Sequence, residues 1–444
     1  MAPDNSLLQT DFHELNLLAA YFDAGMTETA VFEFFVADLP AGRNFLLAAG
    51  LDSVLDFLAH ARFSADELDW LAECGRFGRE FVDRLAEWRF TGTVEAIPEG
   101  TVFFPDEPIL RVTAPLPEAQ LVETRIINLL HYQTLVATKA ARCVLAAPGR
   151  TLIDFGLRRA HGAEAGMLSA RASYLAGFSG TSNLAAGRRW GIPLHGAMAH
   201  AFVLAHDSEA AAFEAYARAH PDAVILLIDT YDTEAGAAKL APLAQRLRRD
   251  GIAIQAVRLD SGDLGEHARR VRRILDASGL PEVRIFVSGN LDEWRLRKLA
   301  SRSTIDGFGV GARMTTSADH PYLDCAYRLV QYAGRPRRKR SEGKASWPGS
   351  KQVYRVYDAD GTMSHDLLVL AEETAPGVAL LEPVMATGRR LAPSLSLATI
   401  RDHAARQLAL LPPALRGLDP APAYPVDIGR SLRELAKDLD RAPV

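Results

Sequence analysis

Six short apolar, β-rich runs between residues 152 and 310 each end in residues able to do chemistry. The first leads into Asp154-Phe-Gly-Leu-Arg-Arg-Ala-His161, and the next three into Gly196-Ala-Met-Ala-His200, Asp229-Thr-Tyr-Asp-Thr233 and Arg258-Leu-Asp-Ser-Gly-Asp263. The last two give Ser288-Gly-Asn290 and Gly309-Val-Gly-Ala-Arg-Met-Thr-Thr-Ser317. Arg158 and Arg258 could hold a carboxylate or phosphate, and Asp229 and Asp260 could order a metal or ribose hydroxyls. His200 suits phosphoryl or proton transfer, and the glycine-rich turns at Ser288-Gly289 and Gly309–Gly311 could hold phosphate through backbone N–H groups. Such a set suits a phosphorylated sugar.

No member of the set decides alone. An Arg-Arg pair after a strand is commonly a salt-bridged rim, and Gly-x-Gly at a strand-to-helix turn often serves only backbone geometry. Between apolar Met198 and Phe202, His200 taken alone fits a hydrogen-bonded core histidine better than a catalyst. His161, His195 and His206 lack its small-residue approach through Gly196-Ala197, so the series selects His200.

The runs that must position these residues are Leu152–Phe155, Pro193–Met198, Val224–Ile228, Ile252–Val257, Val283–Val287 and Ile305–Val310. Helical patterns separate them, such as Leu264, Ala268, Val271 and Leu275 on one face. This β-α-β-α order predicts a parallel sheet, either a barrel or a doubly wound sheet, with chemistry just beyond the strands. Before it, Asp11 and Glu14 resemble a capping box opening a helix to about Tyr21, and Ala30–Val36 reads as a strand. Helical patterns span Asn44–Phe63 and Gly78–Trp88, strands lie around Val94 and Val102, and a long helix runs from Glu118 to Ala146. Pro148-Gly149 then marks a boundary.

After Tyr327 a basic loop, Arg335–Arg340, precedes a strand near Gln352–Tyr357, with Asp358-Ala-Asp-Gly361 as a hairpin signal towards Leu367–Ala371. By composition the loop is a solvated turn or a nucleic-acid patch, but the aromatic interleaving of a single-strand reader is missing. Lys339, Lys344 and Lys351 space cations along a Gly/Pro-shaped loop, as a polyphosphate clamp would. The Pro-rich stretch 411–425 reads as an ordered tail.

Bulk properties exclude several classes. A composition 48% hydrophobic and 24% charged is globular, and 55 acidic against 50 basic residues leave no global attraction for nucleic acid or anionic membrane. The start has no basic n-region, and charges interrupt every apolar run before it could cross a bilayer. Cys74, Cys143 and Cys325 are far apart, which suggests neither disulfides nor zinc and fits a reducing cytoplasm.

Six stretches together resemble the nicotinate phosphoribosyltransferase family. They are Asp154-Phe-Gly-x-Arg-Arg-Ala-His-Gly162, Phe178-x-Gly-Thr-Ser-Asn183, Met198-Ala-His200, Asp229-Thr-Tyr-Asp232, Arg258-x-Asp-Ser-Gly-Asp263, and Lys339-x-Ser-x-Gly-Lys344 with Pro348-Gly-x-Lys-Gln352, and Thr10-Asp11 with Ala30–Phe34 extends the likeness to the N-terminus. The resemblance implies an irregular α/β barrel over 149–330 and a second α/β domain built from 1–148 and 331–444, working as a cytoplasmic homodimer with shared active sites. It implies that nicotinate and phosphoribosyl pyrophosphate give nicotinate mononucleotide and pyrophosphate in NAD biosynthesis, with Mg²⁺ and with ATP hydrolysed through a phosphohistidine at His200. Arg258 is then the partner of the nicotinate carboxylate, Phe155 stacks the pyridine, and Arg158 serves the ring side or the phosphates. Asp260 and Asp229 meet ribose or Mg²⁺, Ser288, Gly289, Gly309 and Gly311 the 5′-phosphate, and Lys339, Lys344 and Lys351 the pyrophosphate. Asp11 and Ser182 fall inside the shared motifs and are expected at the substrate.

Two positions depart from the family pattern. His13 stands where tyrosine is usual, and Ala312 where threonine is usual. These leave three rivals: a nicotinamide-using enzyme, a quinolinate-using enzyme, and a catalytically weakened nucleotide-binding homologue.

Overall fold

The computed structural model describes residues 6–301, 304–342 and 345–442. The chain forms two compact units, residues 139–319 and the union of 1–138 with 320–444. Both breaks fall about ten residues before those expected, at 148/149 and 330/331. The reason at the first break is the helix Glu123–Ala146, which runs unbroken past it.

The first unit is an α/β barrel of irregular form. Its strands are β1 (Thr151–Asp154), β2 (Gly180–Thr181), β3 (Val224–Leu227), β4 (Ile254–Leu259), β5 (Arg284–Val287) and β6 (Gly307–Val310). They make one parallel sheet in the order β2-β1-β6-β5-β4-β3. Among the described residues no pairing closes β2 onto β3. The near-continuous burial of Leu226–Ile228, Ala256, Val257 and Phe308–Val310 is what a sheet covered on both faces requires.

The expected strand Pro193–Met198 shrinks to a single bridge, Leu194 against Thr181. Pro193 has no N–H to donate, so the ladder cannot extend back before this bridge, and beyond His195 N–H on the Thr181 carbonyl it stops because the Asn183 N–H donates to Thr181 Oγ1 instead. Conversely the short strand β2, inside the Phe178–Asn183 motif, has no apolar run to announce it.

Aspartates after the strands also start helices. Asp232 accepts from the Ala235 N–H, Asp263 from Gly265 and Glu266, and Asp292 from Arg295. These carboxylates are therefore committed to capping. Lys139 and Arg142 meet the fully buried Glu293 at 2.6 and 3.1 Å, and Lys139 also meets Asp319 at 2.6 Å.

The second unit joins both ends of the chain in one antiparallel sheet. Its order is Arg335–Pro336, Asp324–Tyr332, Thr29–Asp38, Leu110–Pro115, Thr93–Ala96, Glu382–Ala386 and Arg389–Arg390. The expected hairpin is present: Lys351–Tyr357 pairs antiparallel with Met363–Leu370. At its centre the fully buried Arg355 meets Asp366 at 2.5 Å, and Tyr424 donates to the same carboxylate. Asn44 holds the Pro-rich stretch through the carbonyls of Gly417 and Asp419.

The helix expected from Asp11 spans Phe12–Asp23, but the capping box is absent. Both carboxylates are drawn to the next helices instead: Thr124 donates to Asp11, and Gln120 bridges Glu14 and Glu123 at 2.8 and 2.9 Å. Burial, reinforced by the Glu14 charge, pushes Glu123 up from 4.5 to about 7, while Gln120, His13 and Arg328 oppose it. A carboxyl with a raised folded-state value binds its proton more tightly in the native state, so stability falls as pH rises from about 4.5 to 7. Each pH unit of that window is worth about 1.4 kcal/mol. Glu123→Gln is therefore expected to flatten the pH dependence and raise stability at pH 8 by about 1–3 kcal/mol, read from denaturant melts at pH 5 and 8. An unchanged difference between the two pH values rejects this.

Candidate active site

The strand ends of the barrel unit gather most of the expected residues. At the end of β1, Asp154 is buried and its two oxygens accept from the Gly156 N–H at 2.8 Å and from Thr181 at 2.7 Å. Burial raises its pKa against those two bonds. The aspartate thus ties β2 to the turn that presents Phe155, whose ring is half-buried. Gly156 is required there, because a Cβ would come within 2.7 Å of Thr315.

Beside that ring lies Arg258, the residue before the end of β4. Its guanidinium carbon stands 5.9 Å from the Phe155 ring centre, with the side chain 15% exposed. Burial lowers its pKa, Asp260 and Asp229 oppose the shift, and Arg158 adds to it. A guanidinium keeps its charge through such a shift, so the site holds a desolvated cation. Its Nε is buried without a hydrogen-bond partner, which is the condition of a group awaiting an anion.

The carboxylates are locked to neighbouring loops. One Asp229 oxygen accepts from the Asp260 N–H and the Ser261 hydroxyl, each at 2.7 Å, while Oδ1 is buried with no partner. Asp260 accepts from Ser288 at 2.8 Å and stands 3.9 Å from Arg258. Gly289 has a left-handed φ of 102°, and a Cβ there would overlap the Asp260 carbonyl. Arg313 braces the same turn through Asn290 and Asp292, at 2.8 and 3.1 Å.

His200 opens the short helix His200–Leu204 and is half-buried, with Nδ1 3.2 Å from the Thr230 hydroxyl. Thr230 lies inside the Asp229–Asp232 motif, and a hydroxyl one step past a strand end is the signal that marks it. Asp154 and Thr181 are likewise site supports that only their position at strand ends marks. Arg158 is exposed on the 3₁₀ turn Leu157–Arg159, and the Ser182 side chain is exposed, its N–H donating to the Asp154 carbonyl. Gly309 lies inside β6, and Gly311 precedes the helix Ala312–Thr315.

The other expected residues belong to the second unit. Asp11 is exposed, and His13 is exposed with Nε2 3.2 Å from Glu14. Lys339 is exposed, whereas Lys344 lies outside the described residues. Lys351 needs correction as a pyrophosphate contact. Only 4% exposed, its ammonium meets Glu33 at 2.6 Å and donates to the carbonyls of Trp347 and Gly349. The basic loop is likewise engaged, with Arg338 on Asp440 and Arg340 on the Ala442 carbonyl.

Three family profiles match in chain order: the nicotinate phosphoribosyltransferase N-terminal domain over residues 8–131, the family core over 151–334, and the C-terminal domain over 377–436. The chain belongs to the nicotinate phosphoribosyltransferase family. The Mycobacterium tuberculosis protein named nicotinate phosphoribosyltransferase pncB2 is 50% identical over 436 residues, 97% of this chain and 93% of its own length. The crystal structure of human nicotinic acid phosphoribosyltransferase superposes with a TM-score of 0.87 at 31% identity, covering 97% of this chain and 99% of that one. A nicotinate-nucleotide pyrophosphorylase from Pyrococcus furiosus follows with a TM-score of 0.74 at 25% identity, over 90% and 94%. No helix among the described residues is long and apolar enough to cross a membrane.

Proposed function

We propose that this family member condenses nicotinate with phosphoribosyl pyrophosphate, giving nicotinate mononucleotide and pyrophosphate for NAD biosynthesis, with ATP hydrolysed alongside. The observation that carries the reading is the buried Arg258 beside the half-buried Phe155 ring. A flat aromatic acid needs one apolar face and one bidentate cation, and this pair supplies both.

In the reaction the pyridine nitrogen forms a bond to C1 of the ribose as the C1–oxygen bond breaks, and the electron pair leaves with pyrophosphate. Arg258 holds the carboxylate and Phe155 the ring, which fixes the nitrogen's approach. Asp260, positioned by Ser288, is offered to the ribose hydroxyls, and Arg158 and the Ser288-Gly289 and Gly311 backbone to phosphate. A divalent cation, when bound, would neutralise charge on the leaving pyrophosphate. Asp229 fits it, since the buried Oδ1 has no other partner, with Asp260 adjacent. Among the described residues no three His, Cys, Asp or Glu side chains gather into a metal site, so such an ion would share substrate phosphates, as Mg²⁺ commonly does.

His200 is the phosphoryl acceptor in this proposal: the bond between the ATP γ-phosphorus and ADP oxygen breaks as an N–P bond forms on the imidazole. Thr230 fixes the ring's tilt. The phosphorylated state binds the sugar pyrophosphate productively, which links hydrolysis to synthesis. The proposal includes a cytoplasmic homodimer in which the exposed His13 and Asp11 of one copy reach the other copy's base, and Lys339 and Lys344 serve pyrophosphate. The test is an assay of the purified protein with phosphoribosyl pyrophosphate, ATP and each pyridine base, following acid-labile phosphate on the protein. A preference for nicotinamide or quinolinate over nicotinate, or no turnover, rejects the assignment.

A further inference from the structure

The strand β6 carries two glycines on one face, and each lies under an aromatic ring. Residues alternate across a strand, so the fully buried Phe308 and Val310 point one way and Gly307 and Gly309 the other. A Cβ on Gly307 would overlap the Phe286 ring, and a Cβ on Gly309 would overlap Cδ2 and Cε2 of Phe155 and come within 3.1 Å of the Ser288 Cβ. Neither glycine has a positive φ. Glycine is therefore required for space and not for backbone freedom.

We infer that Gly309 is a positioning residue for the base: it is the seat of the Phe155 ring, and its missing side chain sets how deep that ring lies and hence where its exposed part meets the substrate. This rests on the reading of Phe155 as the base-stacking ring, and it moves Gly309 from phosphate binding to base binding. Gly311 is different, since a Cβ there meets the Phe155 carbonyl at 3.0 Å and not the ring. Adding a methyl group at 309 pushes the ring into the base's space, and a displacement on the order of 1 Å is enough to cost about a hundredfold in a positioned reaction.

The test compares wild type, Gly309→Ala, Phe155→Ala and the double variant, measuring KM separately for nicotinate and for phosphoribosyl pyrophosphate, with thermal melts as the folding check. Gly309→Ala is expected to raise the nicotinate KM about ten- to a hundredfold while the sugar pyrophosphate KM stays within about twofold. With Phe155 already removed, the same methyl group should add nothing, the non-additivity of groups acting as one unit. Gly307→Ala, the same steric defect two residues nearer the start of the strand, should lower Tm without changing the ratio of the two KM values. A rise in the sugar pyrophosphate KM, or additive effects in the double variant, overturns the inference. Should Gly309→Ala fail to fold, Phe155→Ala and the double variant still decide it: equal folding and kinetics support the seat, and a double variant that stays unfolded overturns it. A wild type inactive on nicotinate would instead refute the underlying function.

Discussion

His200→Ala is expected to yield protein that carries no acid-labile phosphate in the presence of ATP and that makes nicotinate mononucleotide at the rate wild type shows without ATP. Coupling free energies between linked sites run to about 1–3 kcal/mol, so the drop should be on the order of 5- to 150-fold. The imidazole is half-buried, and among the described residues its one hydrogen bond is the Thr230 contact at 3.2 Å, so truncation leaves no buried charge stranded and the fold should persist. His206→Ala is the matched control. That half-buried ring sits in the same segment, with Nδ1 2.7 Å from the Phe202 carbonyl, and should retain full coupling. Radiolabelled γ-phosphate transfer and product formation, measured on both variants, decide the matter; undiminished coupling in His200→Ala would remove the histidine from the mechanism.

Much of the barrel was legible because a parallel sheet buried on both faces writes itself as apolar runs, and five of the six expected runs overlap strands. The failure at Pro193–Met198 is instructive. Apolar content alone cannot separate a strand from a segment that touches a sheet once, and Pro193 was the missed clue. The same logic hid β2, whose Gly180-Thr181 is held by pairing with Ile153 and Asp154 and by nothing in its own composition.

For the site, residue types at strand ends led to the right loops but could not assign partners. Asp229, Asp232, Asp260 and Asp263 look alike in sequence, yet two brace loops at the site and two cap helices, because only three-dimensional register decides which N–H groups each meets. Lys351 shows the opposite error. A lysine after Pro348-Gly349 reads as an exposed phosphate ligand, but strand alternation turns it inward onto Glu33, 318 residues away along the chain. Gly309 shows a third case, in which a glycine read for its backbone is explained by the ring above it.

Arg258→Ala is expected to raise the nicotinate KM by about 30-fold to several-thousandfold, corresponding to about 2–5 kcal/mol for truncating one partner of a desolvated charged pair. Three observations set the size. The side chain is 15% exposed, so water does little to replace a ligand; its Nε has no hydrogen-bond partner; and the Asp260 carboxylate is 3.9 Å away and already accepts from Ser288. An arginine so placed keeps bonding capacity in reserve within the chain, and its unpaired Nε is available to a ligand. Arg258→Lys should recover only part of the loss, because an ammonium lacks the planar fork that grips both carboxylate oxygens. The decisive comparison is nicotinate against nicotinamide. Their rings stack equally on Phe155, but only the acid gains from the cation, so Arg258→Ala should narrow the discrimination between them by nearly the whole nicotinate loss. A KM change shared equally by both bases would mean that Arg258 supports the ring and not the carboxylate, and the anion's partner would then have to be sought at Arg158.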